Sequence, residues 1–205
     1  MRRTTPALRG IAIALLLGLA AAVAGEATTI RPAPLSRVSA RAAAVVVATL
    51  DSSSCRRAAS PAGRTRIFTD FEFRDLSVVR GAVPTRNLVL PVVGGTLDGR
   101  RLVVHGTPAF EPGRRYLLFL DPGEPLCGVV GWTQGVFRVE RGPDGRDRVF
   151  DHDGAPVAAV AGGRAVRGPE AMTLAAFLDA DRALAAAAEP LPPRPRRPGV
   201  REDAR

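Results

Sequence analysis

One stretch, Ile67–Val79, reading IFTDFEFRDLSVV, constrains what this chain can fold into more than any other. Ile67, Thr69, Phe71 and Phe73 alternate with Asp70, Glu72 and Arg74, the period of two that a half-buried strand requires. The apolar phase then slips by one residue. After Phe73 the inward positions become Leu76 and Val78 rather than Asp75. One extra residue that swaps the faces is what a β-bulge supplies, and bulges bend a strand and sharpen its twist. A long strand bent in its middle can belong to both halves of a small closed sheet, as a barrel's first long strand does. The alternative is two short strands joined at Arg74–Asp75.

Length bounds the rest. A chain of 205 residues holds one domain plus appendages, and 46% hydrophobic residues is ordinary for a globular protein. The formal charge of +9 is not by itself a nucleic-acid signal. All the basic residues are Arg, and the two ends hold many of them: three in residues 1–24, and five against two acids in residues 190–205. That leaves 21 Arg against 18 acids in residues 25–189. In sequence this charge is scattered and not interleaved with aromatics, so no nucleic-acid partner is expected.

Residues 1–24 combine Arg2, Arg3 and Arg9 with an apolar run from Ile11 that ends in Ala22-Val23-Ala24. A charged start, a short apolar stretch and an A-x-A site are the three parts of a secretory signal peptide. The run falls short of the ~20 residues a spanning helix needs. Cleavage after Ala24 and a secreted or periplasmic product, bacterial in type and without a stable membrane anchor, are the expectation. The flanks of Arg2-Arg3 favour Sec-type over twin-arginine export. In an oxidising compartment the two cysteines, Cys55 and Cys127, are expected to form a disulfide within the chain. In the chain-entropy model it would contribute about 4 kcal/mol. Two separate thiols, or a bridge to another chain, are the other arrangements open to them.

Residues 25–33 read as a linker, 34–188 as a single domain, and 189–205, rich in Pro and Arg, as a disordered tail. Pro34–Ala42 fits a short helix with proline in its first turn and Leu35, Val38 and Ala42 on one face. Ala43–Leu50 is a buried first strand, and Asp51–Gly63 a polar loop holding Cys55. Asn87–Val93 is a strand whose Pro91 argues for an edge or a bulge. Arg101–His105 is a short strand. Glu111-Pro112-Gly113-Arg114 and Asp121-Pro122-Gly123-Glu124 carry type II turn chemistry and flank a buried strand, Tyr116–Leu120. Val129–Glu140 reads as a long strand bent at Gly131 and Gly135, with Asp147–Phe150 as its partner and Pro156–Ala161 as a weak further strand. Thr173 caps a last helix from Leu174 to about Ala188, in which Asp181 falls on the apolar side. The pattern is mainly β: a small, partly open OB-like Greek-key barrel with a short N-terminal helix and a C-terminal helix. An open sandwich is the runner-up.

The succession AAVVVATL, GRTRIFTDFEFRDLSVVRG, NLVLPVVGG, HGTPAFEPGRRYLLFL and VVGWTQGVFRV resembles a family of uncharacterised exported bacterial proteins. Their fold looks like the netrin-like module of tissue inhibitors of metalloproteinases. The resemblance covers roughly residues 34–150 and implies an OB-type barrel without known enzymatic activity. Those inhibitors ligate a protease zinc through an N-terminal cysteine. Here a mature chain would begin at Gly25 with no cysteine before Cys55, so that mechanism does not carry over.

Catalytic equipment is sparse. There is no G-x-S-x-G elbow, no H-E-x-x-H and no Walker loop, and neither a cofactor nor a metal is expected. Of the two histidines, His105 reads as a turn residue. His152 lies in Asp151-His152-Asp153-Gly154, which can gather a cation but is also ordinary turn chemistry. Asp70 and Glu72 share the outward face of the bent strand, where an acid/base pair or plain solvated carboxylates are both possible. Trp132, Gln134 and Phe137 come from one expected strand and form the candidate binding surface, with Trp132 a natural interface anchor if exposed. The expectation is an exported, non-enzymatic binding domain, its partner an extracellular protein. A secreted hydrolase and a cell-envelope structural protein are the competing classes.

Overall fold

The computed structural model describes residues 33–60, 63–83, 87–124 and 126–188. The expected signal peptide, nearly all of the linker and the 189–205 tail lie outside them. Among the described residues no helix is long and apolar enough to cross a membrane.

The chain is mainly β with a helix at each end of the described domain. Helix α1 is Leu35–Arg41, with Pro34 at its N-cap. Strands β1 (Ala44–Ala59), β2 (Thr65–Gly81), β3 (Leu88–Val93), β4 (Gly95–Leu97), β5 (Arg100–Leu102) and β6 (Arg115–Leu120) follow. A single 3-10 turn, Trp132–Gly135, leads into β7 (Val136–Arg141) and β8 (Asp147–Asp151). Then come β9 (Val157–Ala161), β10 (Arg164–Arg167) and helix α2 (Leu174–Ala187). Six strands form one antiparallel sheet in the order β3-β2-β1-β6-β7-β8, and β4-β5 and β9-β10 are separate hairpins. No pairing joins β3 to β8 among the described residues, so the sheet is not a closed barrel.

The bent strand is there, and its bend is where the apolar phase slips. Val47 pairs with Ser77 while Thr49 pairs with Arg74, two residues of β1 against three of β2. Asp75 takes up the excess in the left-handed region at φ 53°. Phe73 and Leu76 consequently pack on the same core, but Val78, expected inward with Leu76, is 45% exposed at a second register shift, between Val45 and Val46. The first half of β2, Phe68–Phe73, pairs with β3 as well as β1, whereas the second half pairs with β1 alone. Pro91 sits on β3, the end strand, where its missing N–H costs no ladder bond on the free side. At the other end of β2, Gly81 lies against Ala44, and a Cβ there would come within 2.1 Å of the Ala43 carbonyl oxygen.

Both faces of the sheet centre are buried. Val46, Ala48 and Leu50 of β1 and Tyr116, Leu118 and Leu120 of β6 face one core. Val45 and Val47 of β1 and Leu117 and Phe119 of β6 face a second. In the first core Phe71, Phe73 and Tyr116 surround Phe110 edge-on, with ring centroids 4.9, 5.3 and 5.0 Å from it, the arrangement that ring quadrupoles favour. The Tyr116 hydroxyl accepts a hydrogen bond from the Glu111 amide at 2.8 Å. The second core is covered by Leu35 and Val38 of α1, Phe177 of α2 and Val157 of β9.

Two further expectations are corrected, and one strand is added. The polar segment after Leu50 is not a loop: β1 runs on to Ala59, its ladder with β2 continuing past the apolar run. Backbone pairing with a long partner outweighs weak local strand preference there. The 129–140 stretch is not one strand, because Gly131 (φ 61°) and Trp132 (φ 59°) turn left-handed and open the 3-10 turn. The second strand of the β9-β10 hairpin, with Gly162 and Gly163 at its turn, lies beyond the weak strand read from the sequence. The Thr173 cap is present, its Oγ1 accepting from the Ala176 amide at 3.3 Å.

Candidate functional site

The cleft richest in chemistry encloses about 500 Å³. Its floor is apolar, from Leu35 and Val38 of α1 and Val136 and Phe137 of β7. Polar groups come from the 3-10 turn (Thr133, Gln134), the β8-β9 turn (Asp151, His152, Asp153) and β10 (Arg164, Arg167). The Ser36 amide donates to the Gly163 carbonyl at 2.9 Å, fixing the β9-β10 turn beside α1. Gln134 Oε1 accepts from the Ala33 amide.

The β8-β9 turn is built by Asp151. Its Oδ1 accepts from the Ala155 amide at 2.9 Å, and its carbonyl accepts from the Gly154 amide at 2.9 Å. Arg167 bridges the two carboxylates, donating through Nη2 to Asp153 Oδ2 at 2.6 Å and through Nε to Asp151 Oδ2. Those bonds, that to Asp153 first, raise the Arg167 guanidinium above its ordinary value. The D-H-D-G turn thus has its acids matched by an arginine. Among the described residues no group of three or more His, Cys, Asp and Glu could hold a metal.

His152 is half-buried, its Nδ1 buried with no hydrogen-bond partner. Burial pushes the imidazole below its ordinary value, and Arg138 and Arg167 act the same way, against the opposing pull of Asp153 and Asp151. Its Nε2 is 3.9 Å from Asp153 Oδ1, too far for a hydrogen bond that would orient the ring. His105 is exposed, although its neighbour Gly106 lines the cleft.

The expected surface of Trp132, Gln134 and Phe137 is split: Gln134 and Phe137, the latter 4% exposed, both line the cleft, whereas Trp132 packs half-buried against the first core. A regular strand would have set Trp132 and Gln134 on one face, but the 3-10 turn sends Trp132 to the first core and Gln134 to the cleft. Asp70 and Glu72 are each engaged singly, Asp70 by Arg56 and Glu72 by the Ser52 hydroxyl at 3.1 Å. Cys55 and Cys127, the pair expected to form a disulfide, are separate thiols in this structure, one of the arrangements open to them. Cys55 Sγ lies 3.4 Å from Thr69 Oγ1. Cys127 is wholly buried in the first core, and burial pushes its thiol up to about 12. Arg164, Arg167 and Thr133 escaped the sequence reading. Only the recognition of a second strand after Gly162-Gly163 would have brought Arg164 and Arg167 to the D-H-D-G turn.

No protein-family profile, curated protein or solved structure matches the chain.

Proposed function

We propose that this is an exported, non-enzymatic binding domain whose site is the cleft between α1, the 3-10 turn and the β8-β9 turn. Its occupant is an apolar segment of a partner protein bearing a carboxylate. The observation that carries this is the contrast between two arginines at one apolar-floored cleft. Arg167 is held by two aspartates, whereas Arg164 makes no ion pair among the described residues. A free guanidinium beside a buried apolar floor suits a ligand with an oily body and an anionic end. Export is supported by the composition of residues 1–24, and the resemblance to exported netrin-like proteins points the same way.

The test is binding of fluorescent peptides that end in an apolar residue, with either a free or an amidated C-terminus. The reading expects the free-acid peptide to bind, and both amidation and Arg164→Glu to weaken it at least tenfold. Equal binding of both peptides would refute the carboxylate reading. Turnover of ester, peptide or phosphoester substrates that disappears in His152→Ala would favour the hydrolase class instead.

A further inference from the structure

The positive charge that looks scattered in sequence is gathered at one end of the fold. The far end of the β1-β2 hairpin carries Arg56, Arg57, Arg64 and Arg66, and the β4-β5 hairpin carries Arg100 and Arg101. These two hairpins are held together. The Gly94 amide donates to the Ile67 carbonyl at 2.9 Å, and Thr69 Oγ1 donates to the Gly94 carbonyl at 2.8 Å. Arg57 Nη2 lies 3.0 Å from Asp98 Oδ2 in the β4-β5 turn. Only two acids stand among the six arginines, Asp98 and the Asp70 paired with Arg56. The remaining described residues carry 13 Arg against 14 acids. Arg64, Arg66, Arg100 and Arg101 make no ion pair among the described residues, and all but the half-buried Arg66 are exposed.

We infer that this paired-hairpin end docks electrostatically on an anionic lipid surface. The inference is independent of the cleft. Single-stranded nucleic acid would need exposed aromatics for its bases to stack on, yet the aromatic ring here, Phe68, is 5% exposed with the Arg56 guanidinium 5.9 Å from its centroid. A specific protein partner would need an apolar centre ringed by polar groups, and the large apolar side chain exposed beside these arginines is Val103 alone, 59% exposed. Guanidinium groups spread over two turns suit a fluid surface whose phosphates can move to meet them. Such binding is weak per residue, additive and screened by salt.

The test is co-sedimentation of the full chain with vesicles of phosphatidylcholine alone or with about a third phosphatidylglycerol, at low and high salt. The readout is the gain in binding that phosphatidylglycerol confers. That gain should fall roughly tenfold or more in a variant carrying Arg64→Ser, Arg66→Ser, Arg100→Ser and Arg101→Ser. It should survive in a charge-matched variant carrying Arg41→Ser, Arg141→Ser, Arg146→Ser and Arg182→Ser, both having melting temperatures close to the parent. Equal losses in the two variants, no gain from phosphatidylglycerol, or a gain indifferent to salt would each overturn the inference. So would hairpin-dependent retention by a single-stranded oligonucleotide with none by vesicles.

Discussion

Arg80→Met should make this protein markedly easier to unfold, because it strands a buried acid. Asp181 of α2 is wholly buried, and neither of its carboxylate oxygens has a hydrogen-bond partner. Its compensation is Arg80 of β2, whose Nε lies 3.6 Å from Oδ2. The same guanidinium donates through Nη2 to the Ser39 carbonyl at 2.9 Å, and so ties the end of α1 to the sheet. Methionine keeps much of the aliphatic stem but strands the acid. Breaking a buried pair costs ~3–5 kcal/mol, or roughly 6–20 °C in melting temperature for a domain of this size. Asp181→Leu should cost less, because Arg80 is 28% exposed and keeps its carbonyl partners. The double variant should recover most of the loss. Urea unfolding of all four proteins checks this. A loss for Arg80→Met no larger than the ~1 kcal/mol of an exposed ion pair, or a double variant no better than Arg80→Met, would refute the reasoning.

Three further outcomes follow from particular residues. The native state favours neutral His152. Its contribution is therefore complete above the ordinary value of about 6.5 and is lost as pH falls below that through the depressed native value. His152→Gln should flatten this part of the stability profile, measured as urea midpoints from about pH 7.5 downward. Asp75 holds the left-handed bulge, so Asp75→Val should cost about 1–2 kcal/mol or more, while Asp75→Gly stays within about 0.5 kcal/mol by chemical denaturation. In reduced protein at pH 8, Cys55 should react with a maleimide, whereas Cys127, buried and with its thiol held near 12, should label only on unfolding.

Period-two alternation made the strands legible wherever one face meets the core, and the one-residue slip at Arg74–Asp75 located the bulge because only a bulge reconciles Phe73 with Leu76. The Thr173 cap and the Glu111–Arg114 turn, closed by the Arg114 amide on the Glu111 carbonyl at 3.2 Å, were equally local signals. The outer part of β1 was not legible, because SSSCRRAA has no apolar period and is held straight by its partner. Asp181 stood out as a charge on an apolar helix face, but its partner lies about a hundred residues away, beyond any local pattern. The cleft was the least visible feature, since its walls come from α1, Thr133, the β8-β9 turn and β10, which are adjacent only once the sheet has formed.

The inner part of β1, Ala44–Leu50, and its neighbour Tyr116–Leu120 of β6 have no solvent side at all. Because β1 and β6 send alternate residues into opposite oily layers, neither layer can loosen without exposing the other's wall. The helical cover on one side and the aromatic cluster on the other are therefore tied into one melting event. A register slip of a single position would exchange the contents of both layers at once, so these strands are pinned twice over. The backbone amides at this seam should be the last in the molecule to admit solvent.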